Sequence, residues 1–162
     1  MQLVLKAELD NYDKLSKEYA EESLKIDNKL KELSKFLMDA RELSANQGHF
    51  YSYRQVLVSR KFDIMTKYSN ISSLSRKENR LIMDSYKSGI KQSDLVSNIN
   101  MRPNNDKERE IIYGDDMRDV DRYLSLVNNH ITFLVDSIKT VDQMIYGFEY
   151  TMKLEEYRQH RK

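Results

Sequence analysis

The chain contains no cysteine, one proline and four glycines among 162 residues. Without cysteine there is neither a disulfide framework nor a thiolate metal site, so packing and polar contacts alone must hold the fold. This fits a reducing compartment, and a cytoplasmic location is the expectation. Proline and glycine are the residues that most often interrupt helices. Their scarcity beside a charged content of 33% predicts an all-α fold of long amphipathic helices joined by few turns. No run of about 18 apolar residues is present to span a bilayer, and Met1 to Glu8 is too short and too charged for a secretory signal, so no membrane partner is expected. Also missing are a Gly-rich phosphate loop, a nucleophile elbow and a deaminase signature. His49, His130 and His160 stand apart without metal-ligand spacing, and His130 falls beside an apolar stripe as a flanking residue. The pattern points to a binding or scaffolding protein with no cofactor, not to an enzyme.

What is present is an uneven distribution of charge. Basic and acidic residues number eight and ten in residues 1–44, ten and four in 45–103, and nine and twelve in 104–162. The net charge of +1 thus conceals a basic centre between two acidic ends. No acid occurs between Glu42 and Asp63, and there Phe50, Tyr51, Tyr53 and Phe62 alternate with Arg54, Arg60 and Lys61. Phosphates attract such cations through counterion release, and unpaired bases stack on aromatic faces. A helix with one packed and one solvated face has the same composition.

From Leu3 to Ser44, Leu5, Leu9, Tyr12, Ser16, Tyr19, Ser23, Ile26, Leu30, Leu33 and Leu37 follow steps of four and three, the 3.5-residue repeat of a coiled coil. Ser44 to Gly48 is expected to end this helix, because Asn46 and Gly48 readily take the left-handed conformation. A second helix from His49 to Tyr68 would place Phe50, Tyr53, Leu57, Ile64 and Tyr68 near one face. It would also stack Arg54 over Lys61 and Arg60 over Lys67. These cations either follow the phosphates of a strand or pair with acids on the first helix. Ser69 to Ser73 reads as a polar break, and Ser75 with Glu78 as a capping box that opens a third helix to about Lys87. Arg76, Lys77 and Arg80 near its start oppose the helix dipole, at a cost of roughly a few tenths of a kcal/mol. Gly89 to Asn105 reads as irregular or a short helix, ending in a linker from Asn100 to Asn105.

The last element carries the longest pattern. Tyr113, Met117, Val120, Leu124, Val127, Ile131, Leu134, Ile138, Val141, Ile145, Phe148 and Met152 keep the four-three rhythm, which predicts one helix from about Asp106 to Arg158, roughly 80 Å long. Tyr123, Phe133, Tyr146 and Tyr150 widen the stripe beyond a two-stranded seam. The expected organisation is a helical region over 1–103, with its basic segment at about 45–91, and a coiled-coil-like helix over 104–162. The latter would drive oligomerisation through Val120, Leu124, Val127, Ile131, Leu134, Ile138, Val141, Ile145, Phe148 and Met152, the alternative being a bundle within one chain in which the first helix covers part of the stripe. Asp115, Asp116, Asp119 and Asp121 lie among Arg118 and Arg122. Without a glycine turn or distant ligands they read as a solvated face, and no metal site is assigned.

Four short stretches occur in the same order as in a known family. They are Arg60-Lys61-Phe62-Asp63 followed by Lys67-Tyr68-Ser69, then Met83-Asp84-Ser85-Tyr86-Lys87, then Tyr113-Gly114-Asp115-Asp116-Met117-Arg118-Asp119-Val120-Asp121, and last Leu134-Val135-Asp136-Ser137-Ile138-Lys139. In these the chain resembles the UvsY recombination mediators of T-even-like phages. That family has a Lys-Ala-Arg-Leu-Asp stretch ahead of a Tyr-Tyr-Ser-Gly, an acid-rich entry to its last helix and a Leu-Asp-x-Ile-Lys run. The chain departs from it where Ser59 and Lys61 stand for the family's Lys-x-Arg pair, with Arg60 between them, and in extra sequence around Ile90 to Asn105.

The resemblance implies an oligomeric ring or bundle assembled through the C-terminal helix, in the cytoplasm of an infected bacterium. Such an assembly binds single-stranded DNA and helps a recombinase displace a single-strand-binding protein. On this reading Arg54, Arg60, Lys61 and Lys67 grip phosphates, Arg76, Lys77 and Arg80 extend the track, and Tyr51, Tyr53 and Phe62 either stack on bases or pack in the core. Several weak grips on one oligomer multiply through effective concentration. The rival reading is a structural or adaptor coiled-coil protein, for phage assembly or host-protein binding, whose basic centre docks an acidic protein surface.

Overall fold

A computed structural model describes residues 2–37, 40–88 and 106–160. These form helices α1 (Gln2–Asp10), α2 (Tyr12–Phe36), α3 (Ala40–Ser88) and α4 (Asp106–Gln159), and no strand occurs among them. The all-α fold therefore follows from the lack of turn-forming residues. The segment from Gly89 to Asn105, with the linker expected at Asn100 to Asn105, lies outside the described residues, as do the side chains of Tyr113, Asp115 and Asp116.

The chain packs as two units, and each draws on both sides of the boundary expected at residues 103 and 104. The first combines residues 1–17 with 65–129, and the second 18–64 with 130–162. The core of the first unit takes Leu15 from α2, Ile71 and Ser75 from α3, and Met117, Val120, Tyr123 and Val127 from α4. In the second unit it takes Tyr19, Ile26 and Leu33 from α2, Phe50, Leu57 and Ile64 from α3, and Leu134, Ile138, Val141, Ile145 and Phe148 from α4. The α2 and α3 residues in that unit recur every seven positions, so each helix presents one narrow stripe inward. Leu33, Leu57 and Leu134 are fully buried, each stabilising the fold by about 1.5–3 kcal/mol.

The helix expected from Leu3 to Ser44 is divided. Asn11 lies in a turn between α1 and α2, where its Nδ2 donates to the Ala7 carbonyl at 2.7 Å. α2 ends at Phe36, eight residues before the expected break at Ser44, and the Leu37 N–H closes a tight final turn on the Ser34 carbonyl at 3.2 Å. Conversely, α3 passes without interruption through Gly48 and through Ser69 to Ser73, and Ser75 is buried mid-helix where an N-cap was expected. The energies explain this outcome. Ser and Asn each cost a few tenths of a kcal/mol in a helix and glycine about 1, whereas burying Phe50 or Ile71 on adjacent turns returns about 1.5–3.

The inward face of α4 is also corrected in detail. Tyr123, His130 and Ser137, each three residues after a buried aliphatic, are buried, while Leu124, Ile131 and Met152 are half-buried. Further along, the companion position moves to plus four, at Ile138 and Ile145. A straight helix drifts about 20° per heptad against a 3.5 repeat, so the residue facing inward changes along its length. The seam assigned to self-association is therefore closed within one chain. Val120, Val127, Leu134, Ile138, Val141, Ile145 and Phe148 leave water without a second copy.

Gly48 tests the continuity of α3. A Cβ added there meets nothing within 4 Å, so Gly48→Ala should stabilise the chain by about 0.5–1 kcal/mol in urea denaturation. A loss of stability would mean a left-handed break at this position, as glycine and asparagine alone suggest.

Candidate nucleic-acid interface

All seven cations proposed to hold a strand lie on α3, and the structure divides them by whether another helix already engages them. In the second unit, Arg54 Nε donates to Asp142 Oδ1 on α4 at 2.5 Å. Arg60 grips Glu22 of α2 with both arms, Nε to Oε1 at 2.6 Å and Nη2 to Oε2 at 2.9 Å. This fork-on-carboxylate geometry is the stronger class of ion pair. Lys61 is half-buried, and its Nζ lies 4.6 Å from the Phe62 ring centre, a cation–π contact between chain neighbours. Tyr51 and Phe62 are exposed, whereas Tyr53 is half-buried, its hydroxyl pKa raised by burial and then by the charges of Asp27 and Glu22. Tyr53 is thus a packing residue, and Tyr51 and Phe62 are the exposed aromatics of this segment.

Glu22 also meets His130, whose Nε2 lies 3.1 Å from Oε2. An ionised carboxylate only accepts, so Nε2 carries the bridging proton. The imidazole is buried, stacked on Tyr19 with ring centres 4.0 Å apart, and faces Phe133 at 6.0 Å. Burial works against the Glu22 charge, but hydrogen bonds from Arg60 and His130 outweigh it and hold the carboxyl below its ordinary range. Burial likewise pushes His130 below the usual imidazole range despite its bond to Glu22. His130 is therefore a core residue bracketed by Tyr19, Glu22 and Phe133, not the flanking residue its place beside the stripe suggested.

The first unit repeats the arrangement with other residues. Lys67 Nζ lies 2.9 Å from Glu8 Oε2, and the same oxygen accepts from the buried Tyr123 hydroxyl at 2.7 Å. Burial opposes ionisation of Glu8, yet the bonds from Lys67 and Tyr123 lower its pKa. Arg122 lies 4.5 Å over the Tyr12 ring. Further along α3, Arg76, Lys77 and Arg80 are exposed within little more than one turn. Arg76 donates to Ser72 Oγ at 3.3 Å, and among the described residues none of the three meets an acid.

Arg60 and Lys67 thus pair with acids in the stretch expected as the first helix, the alternative the sequence left open, whereas Arg54 pairs with Asp142 on α4. Arg76, Lys77 and Arg80 are directed to solvent and suit a polyanion. The acids Glu8, Glu22 and Asp142 were not singled out from sequence. The available signal was spacing alone, since Glu8, Leu15 and Glu22 recur every seven residues and Leu15 is buried. Among the described residues no group of three acids, histidines or cysteines could hold a metal ion, and no helix is long and apolar enough to cross a membrane.

The folded chain favours neutral His130 and ionised Glu22, so stability is complete above about pH 6.5. It falls as pH drops through the depressed folded pKa of His130, and again at lower pH where Glu22 protonates. Melting midpoints between about pH 8 and about pH 5 should decline on the acid side, and His130→Gln should flatten the first part of that decline. A midpoint that rises on acidification would mean a charged His130 in the fold. Arg60→Ala should cost about 1 kcal/mol, and Lys77→Ala less than about 0.5. Comparison with family models, with curated proteins and with solved structures finds no match to this chain.

Proposed function

We propose that the chain is a single-stranded DNA-binding recombination mediator, which helps load a recombinase onto DNA covered by a single-strand-binding protein and does so without catalysis or a cofactor. The observation that carries this reading is the exposed turn of Arg76, Lys77 and Arg80 on α3, to which the resemblance to phage mediators adds its order of short motifs. Three cations on one turn give each chain a weak, sequence-independent phosphate grip. Weak grips suit a mediator, which must hold a strand and then yield it. Joined in a homo-oligomer they reach useful affinity through effective concentration. The acids that engage Arg54, Arg60 and Lys67 move the binding role away from those residues. Lys61, with Phe62 and Tyr51, is a lesser contributor in its own unit.

The same ion pairs favour a second reading, a structural or adaptor protein in which the basic centre serves mainly to join helices. Titration of labelled oligo-dT at several salt concentrations separates the two. A mediator should bind at about micromolar or better at low salt. Changing Arg76, Lys77 and Arg80 together to Gln should lower the slope of log affinity against log salt by about two, at about 0.7 per phosphate contact. Binding weaker than this, or a slope unchanged in the triple variant, removes the proposed grip.

A further inference from the structure

In the second unit, α3 presents to solvent a face with almost no charge. Between Ala45 and Ile64 twelve residues are exposed, and of these only Arg60 and Asp63 are charged. Arg60 is engaged by Glu22. On α2 of the same unit ten residues between Glu18 and Phe36 are exposed and seven are charged, so the neutrality of α3 is not the character of the whole surface. Depletion of charge with retention of aromatics marks the centres of protein interfaces, not of solvated helix faces. Here Tyr51, Ser52, Gln55, Val56 and Ser59 line an open hollow of about 630 Å³. Tyr51 and Val56 flank it, and small polar side chains lie between them.

The same unit carries a second anomaly on α4. Tyr146, Tyr150 and Leu154 are exposed at 78%, 66% and 40%. Steps of four keep them along one side of the helix, turned away from the buried Val141, Ile145 and Phe148. Single exposed apolar residues are ordinary, whereas a run of large ones along one helix marks a contact surface. Gly147 lies within the run, and a Cβ there would meet nothing within 4 Å, so a partner backbone finds room to approach.

We propose that these surfaces are the two halves of one self-association interface, the Tyr146–Tyr150–Leu154 ridge of one copy seating in the α3 hollow of another. The chemistry of each half selects the other. The five residues lining the hollow and the three of the ridge are themselves uncharged, so the centre of the contact buries no ion, and the exposed Glu149 and Lys153 stand beside the ridge as its polar rim. The ridge supplies large rings with hydroxyl tips, and the hollow supplies Ser52, Gln55 and Ser59 as hydrogen-bonding partners for them. Each half points away from the core of its unit, so a single chain leaves both open. The wall of the hollow is also held in place, because the Tyr51 hydroxyl donates to Glu149 Oε1 at 3.2 Å, and Glu149 precedes Tyr150 on the ridge. A phosphate backbone finds no cation among the residues lining the hollow. The inference shares with the mediator reading the expectation of self-association and the residue Tyr51, and its test contains no DNA.

The absence of cysteine makes the test direct. Full-length chains carrying Ser52→Cys or Ser59→Cys are mixed with chains carrying Tyr146→Cys or Tyr150→Cys and treated with a short bis-maleimide. At least one mixture should cross-link about tenfold faster than either variant alone. In sedimentation equilibrium, Tyr146→Ser with Tyr150→Ser should weaken association by about tenfold or more, the scale of interface tyrosines, with helical circular dichroism unchanged. A wild-type chain that is monomeric at about 100 µM overturns the proposal. So does association unaffected by the tyrosine changes, or cross-linking confined to like variants.

Discussion

The seven-residue recurrence of buried side chains is the constraint on which the other features depend. In the second unit Tyr19, Ile26 and Leu33 define the inward line of α2, Phe50, Leu57 and Ile64 that of α3, and Leu134, Val141 and Phe148 that of α4. Once these lines face one another, the remaining positions have little choice. Residues at the edges of a line meet residues at the edges of its neighbours, which is where Arg60, Glu22 and His130 join. Positions opposite the line face water, and there the chain places charge on α2 and withholds it on α3.

The edge contacts add specificity to a seam that is otherwise only apolar. An aliphatic stripe tolerates sliding by one heptad, because every seventh position offers a similar surface. Glu22 receives both Arg60 and His130, and Glu8 receives both Lys67 and Tyr123. A slip would leave these partly buried groups without partners, at a cost of about 1–3 kcal/mol for each. The polar groups thus fix which heptad faces which.

Much of the fold was readable because hydrophobic period is a strong signal. The lines through Val120, Val127, Leu134, Val141 and Phe148, and through Tyr19, Ile26 and Leu33, are visible in sequence and buried in the structure. Breaks were less readable. Gly48 and the Ser69 to Ser73 stretch carry local preferences worth at most about 1 kcal/mol per residue, and the burial of their neighbours overrides them. The true end of α2 at Phe36 has no glycine or proline to announce it. The basic character of α3 was legible, but the partnership of each cation was not. Composition cannot show that Arg60 faces Glu22 on another helix while Lys77 faces water. Nor does the length of an apolar stripe say whether its cover comes from the same chain or from other copies.

The central claim is that each unit closes its seam within one chain and thereby holds α3 as one helix. Amide hydrogen exchange on the chain at about 1 µM, compared with about 100 µM, addresses it most directly. The account predicts protection that continues without a gap through Gly48 and through Ser69 to Ser73, and protection of the α4 amides around Val127, Leu134 and Val141 that persists on dilution. Rapid exchange at either α3 stretch, or loss of α4 protection as the chain is diluted, would contradict it.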